Sequence, residues 1–463
     1  MGAVRISVFK LPGLREILGL GEREIISFYG AGGKTSFLLR LAEELSQDNK
    51  KVILTTTTKI FSQQKYPQII TCDGDLAREE LQRLLVRENV VVLGSSLLPS
   101  GKIDGPKPSL ISRLHAEGIA PYILIEADGA NRRPIKGYAW HEPVIPSFST
   151  IIVPLLGSDA FGLPISEEHV HRPELLAHQI GAAEGKTIGL EEFIRSLAFM
   201  LARGQKQAPT ARAIPVINKT DLLEGGDLAS NIAKAFLASP PGDVYRLLFT
   251  ALAEDFPVHY IWEKPFARPF ISCAVLAAGF SKRMGKDKLA LDLKGKTILE
   301  HTVESARQSG ADEIFIVTRP EQEWIGRLFS TSGIRVVNNP YSALGMSTSV
   351  QAAISASHPL TQGIIFALGD QPLVDPGAYQ ALIKSYSEGL DLVTYPHYLG
   401  KKGNPQLFDR RTWPLLMKLR GDQGGRGIIS QIPDKWICGV EIPYSGVTED
   451  IDTVEEYKRL LGQ

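Results

Sequence analysis

The sequence is poor in cysteine, and its charges cancel. Among 463 residues there are only three cysteines, Cys72, Cys273 and Cys438, which lie far apart and form no Cys-x-x-Cys pair. This spacing argues against a zinc site and against a disulfide framework. Lysine and arginine together number 51, and so do aspartate and glutamate. The overall charge therefore gives no reason to expect a nucleic acid or an anionic membrane as a partner.

Long hydrophobic runs are also missing. No apolar run approaches the roughly 20 residues that a membrane-spanning helix needs. The N-terminus lacks a basic segment followed by an apolar stretch and a cleavage site. We therefore expect a cytoplasmic protein. Its composition, 43% hydrophobic and 22% charged, is that of a soluble globular protein, and its length suggests two or three domains.

The most informative stretch is residues 273–288, which read CAVLAAGFSKRMGKDK. Its first six residues are small or branched and apolar, and a loop with two glycines and several basic residues follows. This pattern is typical of a buried strand that leads into a phosphate-binding loop. Gly279 and Gly285 let backbone N–H groups approach an anion, while Arg283 and Lys288 supply positive charge. A triphosphate is the natural ligand, although the pattern alone also fits a surface turn.

Three later stretches support the phosphate-binding interpretation. They are residues 367–372 (ALGDQP), 403–405 (GNP) and 449–453 (EDIDT). Together with LAAG-x-S-x-RMG-x-x-K, they resemble the nucleotidyltransferases of molybdenum cofactor synthesis, and specifically the molybdenum cofactor cytidylyltransferases. The resemblance covers about residues 270–463. It implies a MobA-like, Rossmann-like (GT-A-like) domain that transfers CMP from CTP to molybdopterin.

The resemblance also implies a set of site residues. Asp370 and Asp452 match the family's metal-binding aspartates, and with Arg283 and Lys288 they form the predicted catalytic group. Mg²⁺ suits carboxylate ligands, and it both aligns phosphates and neutralises their charge. Each aspartate also fits a helix N-cap. The residues predicted to bind the nucleotide are Leu276, Ala277, Ala278, Gly279 and Ser347.

Base choice and acceptor are less constrained by the sequence. The loop reads LAAG rather than the LAGG of the guanylyl branch, so the one residue Ala278 favours CTP. Residues 345–349 place a flexible turn and hydroxyl groups before a helix, which suits another phosphate or the cytosine ring. Related folds transfer a nucleotide onto a sugar or polyol phosphate, and this is the alternative activity.

The second half of the chain predicts an α/β fold. Predicted strands at 314–318, 334–337, 363–368 and 390–395 alternate with predicted helices at 298–308, 322–329, 347–356 and 377–386. Such alternation indicates a mainly parallel sheet with helices on both faces. Residues 260–269, with two prolines and mixed charge, are typical of a connection between domains.

The first half begins with another glycine-rich loop. A predicted strand at 24–29 leads into GAGGKTS and then a helical pattern, which is the arrangement of a P-loop that binds ATP or GTP. The spacing departs from the standard motif, because its first glycine would fall at Phe28. A glycine-rich helix cap without a ligand is the alternative. The residues predicted to bind this nucleotide are Gly30, Gly32, Gly33, Lys34, Thr35 and Ser36, with Thr35 also on the magnesium ion.

Two further strand ends carry polar side chains. The predicted strand at 122–125 ends in Glu126-Ala127-Asp128, and we expect Asp128 to hold magnesium or sense the terminal phosphate, with Glu126 as the alternative. The predicted strand at 213–217 ends in NKTD, which resembles the base-reading motif of GTP-binding proteins. Its predicted nucleotide-binding residues are Asn218, Lys219 and Asp221.

Five motifs of the first half resemble one family. They are GAGGKTS, TTTTK, IEADGA, HVHRPE and VINKTD, and they are similar to the YqeC-like accessory proteins associated with selenium-dependent molybdenum hydroxylases. His169 and His171 in HVHRPE fit a polar loop better than a metal site, because a third ligand is missing. The predicted domains are 1–265, P-loop NTPase-like, and 270–463. The implied partners are molybdopterin and a molybdenum hydroxylase apoenzyme; the competing hypothesis is a nucleotide-gated chaperone for cofactor insertion.

Overall fold

The computed structural model describes residues 11–61, 65–223, 226–238, 240, 244, 246–263, 268–280 and 287–461. The chain divides into two compact units, one of Gly13–Ala267 and a second that includes Arg268–Gln463. The predicted domains are 1–265 and 270–463. That each of them folds by itself stays a prediction. Within the described ranges, no helix is long and apolar enough to cross a membrane.

The first unit has an α/β arrangement. Its helices are Leu14–Ile17 (α1), Lys34–Gln47 (α2), Gly74–Leu85 (α3), Pro108–Ala116 (α4), Pro173–Ile180 (α5), Leu190–Gln207 (α6) and Gly226–Ala238 (α7). Its strands are Glu24–Gly30 (β1), Val52–Thr56 (β2), Lys59–Phe61 (β3), Gln68–Ile70 (β4), Val90–Gly94 (β5), Ser96–Leu97 (β6), Lys102–Asp104 (β7), Tyr122–Glu126 (β8), Ile135–Lys136 (β9), Ile151–Gly157 (β10), Val170–His171 (β11), Arg212–Ala213 (β12), Val216–Asn218 (β13), Arg246–Thr250 (β14) and Val258–Glu263 (β15).

A large, mostly parallel sheet organises this unit. Its strand order is β15-β14-β13-β10-β1-β8-β2-β5-β4, with β12 beside β10, and only the β14–β15 pair is antiparallel. Every residue of β1, β8 and β10 is buried, which is typical of parallel strands covered on both faces. The carboxyl ends of β1, β8 and β13 therefore meet at one edge of the sheet, and each carries one of the predicted motifs.

The second unit also mixes helices and strands. Its strands are Ile271–Leu276 (β16), Asp292–Leu293 (β17), Lys296–Thr297 (β18), Glu313–Thr318 (β19), Arg335–Asn338 (β20), Gly363–Leu368 (β21), Val393–Tyr398 (β22), Lys401–Lys402 (β23), Gln406–Asp409 (β24) and Ile437–Glu441 (β25). Its helices are Ile298–Arg307 (α8), Glu323–Leu328 (α9), Met346–Ala356 (α10), Pro376–Gly389 (α11), Trp413–Leu416 (α12) and Val454–Leu460 (α13).

The predicted α/β class is confirmed, and the sheet of the second unit combines parallel and antiparallel strands. Its order is β20-β19-β16-β21-β24-β22-β23, with β25 beside β22. The four strands from β20 to β21 are parallel, whereas β24 runs antiparallel to both of its neighbours. The prediction missed β24 because a four-residue strand is too short to show a periodicity of its own. The predicted first strand, 273–278, is also shifted by two residues, since β16 begins at Ile271 and ends at Leu276.

Cys273 lies in the middle of β16 and is fully buried. Burial raises the pKa of its thiol to about 12. Because the thiolate is the reactive form of cysteine, this residue is an inert part of the core.

Candidate functional site

A cavity of about 500 Å³ opens where β16 and β21 end. These strands are parallel neighbours, and their last residues, Leu276 and Leu368, are paired. Because the carboxyl ends of parallel strands lie at the same edge of a sheet, the segments that follow them face one crevice. The cavity brings together several predicted site residues, namely Leu276, Ala277, Ala278, Gly279, Lys288, Asp370 and Asp452.

The charged centre of the cavity is a lysine between two aspartates. The Nζ atom of Lys288 lies 2.5 Å from Oδ2 of Asp370 and 2.7 Å from Oδ1 of Asp452. Burial by itself would lower the pKa of Lys288, but the two carboxylates outweigh burial and raise it. The pKa of nearby Asp450 is also raised, by burial first and then by the negative charges of Asp452 and Asp370. Lys288 therefore stays protonated beside a concentration of negative charge.

The two aspartates suit a hard divalent cation. They already converge within hydrogen-bonding distance of one positive group, the Lys288 ammonium. Within the described ranges, no three His, Cys, Asp or Glu side chains are grouped as a metal site. A pair of carboxylates is nevertheless the usual protein contribution to a magnesium site, because substrate phosphates and water supply the other ligands.

The wall of the cavity also includes the turn before α10. Gly345 has a φ of +107°, and a Cβ atom on it would lie 2.2 Å from the carbonyl carbon of Gly421. Only glycine fits such a position. Ser347, which the sequence predicts to bind nucleotide, is 2% exposed, and its backbone N–H donates to the carbonyl of Gly421. Ser349 lines the cavity instead, together with Asp422.

The first unit places its glycine-rich loop at the end of β1. Gly30, Gly32 and Gly33 have φ values of +100°, +83° and +125°. A Cβ atom on Gly32 would lie 2.3 Å from the backbone nitrogen of Gly157, which leaves no room for a side chain. Helix α2 begins directly afterwards, at Lys34, so its N-terminal N–H groups face the same edge as the loop.

Lys34 and Thr35 contact different carboxylates. The Lys34 Nζ atom donates to the carbonyl of Gly30 at 2.6 Å and lies 3.3 Å from Oδ1 of Asp128. The hydroxyl of Thr35 donates to Oε2 of Glu126 at 2.8 Å. Burial raises the pKa of Glu126, and the charge of Lys34 opposes this effect only in part. The structure therefore places the alternative residue, Glu126, beside the predicted magnesium ligand Thr35.

The NKTD motif lies beside the same loop. The side-chain amide of Asn218 donates to the carbonyl of Gly32 at 2.7 Å and accepts from the hydroxyl of Thr250 at 3.0 Å. Lys219 forms an ion pair with Asp159 at 2.5 Å. Asn218 thus supports the glycine-rich loop. Asp221 is exposed.

Comparisons with known proteins match the two halves of the chain to two families. The family model of the YqeC protein matches residues 26–174, and that of the MobA-like NTP transferase domain matches residues 273–436. YqeC of Escherichia coli (strain K12) is 32% identical over 181 residues, which cover 38% of this chain and 70% of that protein. This chain is a YqeC domain fused to a MobA-like nucleotidyltransferase domain.

Two relatives match the transferase domain over nearly their whole length. Purine catabolism protein PucB of Bacillus subtilis (strain 168) is 30% identical over 199 residues, 41% of this chain and 95% of that protein. Molybdenum cofactor cytidylyltransferase of Escherichia coli (strain K12) is 28% identical over 191 residues, 40% of this chain and 93% of that protein. The family resemblance predicted from the motifs is confirmed, and so is the prediction that the chain is a nucleotidyltransferase.

One predicted catalytic residue of the transferase domain, Arg283, lies outside the described residues. The described ends of its loop share a partner that the sequence did not reveal. Arg319 donates from its guanidinium to the carbonyl of Gly279 and lies 3.5 Å from Oδ2 of Asp287, with its guanidinium 5.0 Å from the ring centre of Phe280. It directly follows β19, and this strand-end position is the signal that could have identified it.

The YqeC domain contains a second missed residue, Lys136. Its side chain is 1% exposed, and its Nζ atom lies 3.1 Å from Oδ2 of Asp128. A lysine after an arginine-rich stretch gives no sequence signal of burial. Only the packing shows that it reaches Asp128, the carboxylate beside the glycine-rich loop.

Proposed function

We propose that the transferase domain is a molybdenum cofactor cytidylyltransferase that transfers CMP from CTP to the terminal phosphate of molybdopterin. The observation that carries this proposal is the convergence of Lys288, Asp370 and Asp452 at the cavity. Reaction at the α-phosphorus of a triphosphate demands mainly alignment and charge neutralisation, and this constellation supplies groups for both. The name of the similar cytidylyltransferase supports the same substrates.

The chemistry balances without a protein base. A phosphate oxygen of the acceptor bonds to the α-phosphorus of CTP, the bond from the α-phosphorus to the bridging oxygen breaks, and pyrophosphate leaves. The second pKa of a phosphate monoester is about 6, so the acceptor is already largely ionised near neutral pH. Asp370 and Asp452 would hold Mg²⁺, which when bound aligns the phosphates and neutralises their charge. Lys288, and Arg283 by the family resemblance, add positive charge for the developing pyrophosphate.

The preference for CTP rests on Ala278. This residue is 5% exposed and lines the cavity beside Ala277. Its methyl group limits how deeply a ring can enter at the end of β16. A larger purine would meet that limit sooner than a pyrimidine does.

The deciding experiment supplies the full chain with molybdenum-bearing molybdopterin and one nucleoside triphosphate at a time. We expect pyrophosphate release with CTP, and a product whose mass equals the acceptor plus CMP. Reactions without acceptor, and reactions of the Asp370→Asn variant, measure the background. Product formation with a sugar or polyol phosphate instead would favour the alternative acceptor, and a preference for GTP would contradict the cytidylyl assignment.

We further propose that the YqeC domain binds ATP or GTP as a P-loop domain and that this chain serves, in the cytoplasm, the maturation of a selenium-dependent molybdenum hydroxylase. Three features of the described loop support binding: its three left-handed glycines, the helix that begins at Lys34, and the amide of Asn218 on Gly32. Thr35 and Glu126 would hold Mg²⁺ here, and the geometry favours Glu126 over Asp128 for this role. The competing hypothesis is a chaperone that binds nucleotide without hydrolysing it.

Amide hydrogen exchange on the full chain tests this binding, because peptides report the two domains separately. With Mg²⁺ and ATP or GTP, we expect slower exchange in peptides that cover residues 30–36. Peptides of the transferase domain serve as the internal control. Unchanged exchange at residues 30–36 with both nucleotides would contradict the proposal.

A further inference from the structure

The carboxylate of Asp128 has two lysine partners, and they differ in how firmly they are held. Asp128 is fully buried, and the backbone N–H of Gly30 lies 3.0 Å from each of its oxygens. Lys34 approaches Oδ1 at 3.3 Å, and Lys136 approaches Oδ2 at 3.1 Å. One buried negative charge thus has two positive partners, Lys34 at the end of the glycine-rich loop and Lys136 in β9.

Lys136 is a fixed cation. Besides Asp128, its Nζ atom donates to the carbonyl of Gly129 at 2.6 Å and to Oε2 of Glu142 at 3.0 Å. An ammonium group has three protons, so these three acceptors use all of them. The group also lies 4.8 Å from the ring centre of Tyr138. The Lys136 side chain is 1% exposed, so it is both buried and fully hydrogen-bonded.

Lys34 is held more loosely. It starts α2, its Nζ atom donates to the carbonyl of Gly30, in its own loop, and its charge also acts on Glu126. A phosphate at this loop would compete for the same ammonium group. If Lys34 moves to the phosphate, Asp128 keeps Lys136 and the Gly30 N–H. Without Lys136, the same movement would leave a fully buried carboxylate without a cation, which is strongly unfavourable.

The HVHRPE motif completes this arrangement. Strand β11 pairs with β9, with His171 opposite Lys136, and the next residue, Arg172, donates to Glu142 at 2.5 Å. Arg172 has a φ of +61° and directly precedes α5. Burial by itself would raise the pKa of Glu142, but its bonds to Arg172 and Lys136 hold that pKa below the ordinary value. Charges therefore alternate from the glycine-rich loop to the motif, in the order Lys34, Asp128, Lys136, Glu142 and Arg172.

We propose that Lys136 is a positioning residue of the nucleotide site in the YqeC domain: as the permanent counterion of Asp128, it releases Lys34 to bind the nucleotide's phosphates. The motif HVHRPE holds Lys136 in this place through Arg172 and Glu142. The inference rests on the proposed nucleotide binding by this domain. Lys136 and the HVHRPE motif, which have no role in nucleotide binding by itself, thereby both support the nucleotide site.

The test compares Lys136→Met with the double variant Asp128→Asn/Lys136→Met in the full chain. Nucleotide affinity is read from hydrogen exchange at residues 30–36 during titration with ATP or GTP and Mg²⁺. In Lys136→Met, Asp128 retains Lys34, and we expect binding weaker by about tenfold or more. In the double variant the neutral amide at position 128 no longer retains Lys34, and we expect affinity within about threefold of the parent. A matched control, Lys186→Met, removes an ion pair with Glu192 in the same domain and should bind like the parent.

Each outcome has a separate meaning. If the parent shows no protection at residues 30–36, the proposed nucleotide binding fails. If the parent binds and Lys136→Met binds equally well, the role of Lys136 is overturned. A double variant as weak as Lys136→Met would also overturn it, because a merely structural lysine cannot be rescued by neutralising Asp128. If Lys136→Met does not fold, Asp128→Asn alone decides: affinity equal to or above that of the parent supports the proposal, and clearly weaker binding overturns it.

Discussion

The ammonium nitrogen of Lys288 lies 2.5 Å from a carboxylate oxygen of Asp370. The first residue follows the predicted phosphate-binding loop after β16, and the second follows β21, so the contact joins two motifs that lie far apart in the sequence. It also joins the positive and negative groups that a triphosphate with its metal ion requires. We propose that this contact is the centre of the transferase site.

Asp370→Asn should abolish transfer and leave the fold intact. The residue stands at a strand end, 21% exposed, and contacts a lysine rather than packing in the core. Loss of one metal-binding carboxylate should lower kcat by about 100-fold or more. Pyrophosphate release measures the rate, and the melting temperature checks the fold. The matched control is Asp434→Asn, which changes an exposed aspartate of the same domain. Near-normal turnover of Asp370→Asn at limiting magnesium would show that Asp370 does not belong to the site.

Lys34→Ala should impair nucleotide binding by the YqeC domain without changing transfer by the other domain. A charge-assisted hydrogen bond contributes about 1.5–3 kcal/mol, so we expect affinity to fall by roughly 10- to 100-fold. Hydrogen exchange at residues 30–36 measures binding, and pyrophosphate release measures transfer. The control is Lys234→Ala, an exposed lysine in α7. Undiminished binding in Lys34→Ala would mean that GAGGKTS is only a turn.

Ala278→Gly should loosen the selection of the base. It recreates LAGG and removes one methyl group from the cavity wall. One methyl contributes only about 1–3 kcal/mol of discrimination, so the ratio of kcat/KM for CTP and GTP should shift rather than reverse. Ala277→Gly removes a methyl group from the neighbouring residue of the cavity wall and shows whether the effect is specific to position 278. An unchanged ratio would place base recognition elsewhere, most plainly at residues 345–349.

Arg319→Gln should raise the KM for the nucleotide more than it lowers kcat. The guanidinium holds both described ends of the loop, at Gly279 and at Asp287, and glutamine cannot supply both contacts with a positive charge. We expect KM to rise by roughly tenfold, the effect of losing one or two hydrogen bonds to charged groups. Arg319→Lys keeps the charge and should recover part of the loss. If Arg319→Gln and Arg319→Lys raise KM equally, the positive charge at this position does not contribute to nucleotide binding.

Cys273 should resist thiol reagents well above neutral pH. Burial raises the pKa of its thiol to about 12, whereas Cys72 is exposed. The ordinary thiol pKa is about 8.5, so Cys273 ionises at a lower pH in the unfolded chain than in the folded protein. The contribution of this residue to stability therefore falls as the pH rises above about 8.5. Alkylation followed by mass spectrometry should modify Cys72 readily and Cys273 only after unfolding. Labelling of Cys273 in the native protein would contradict its place in the core.

Local patterns were enough to predict several features of this protein. The apolar runs at β1, β8, β16 and β21 and the glycines after two of them are properties of adjacent residues, so the strands, loops and α/β class follow from the sequence. The order of the motifs was enough to identify the two families. The family resemblance grouped Lys288 and Asp370 as predicted catalytic residues, and they lie in one crevice because the carboxyl ends of parallel strands meet.

Only the tertiary structure decided which side chains meet within each crevice. Glu126 and Asp128 differ by two positions in the sequence, yet Thr35 contacts the first, and two lysines neutralise the second. The contact depends on the position of β1 between β8 and β10, which long-range packing sets and no local pattern encodes. The same holds for Lys136 and Arg319, each of which is one basic residue among many along the chain. The pairing of β19 with β16 brings Arg319 to its loop, and the fold of the segment after β8 brings Lys136 back to Asp128.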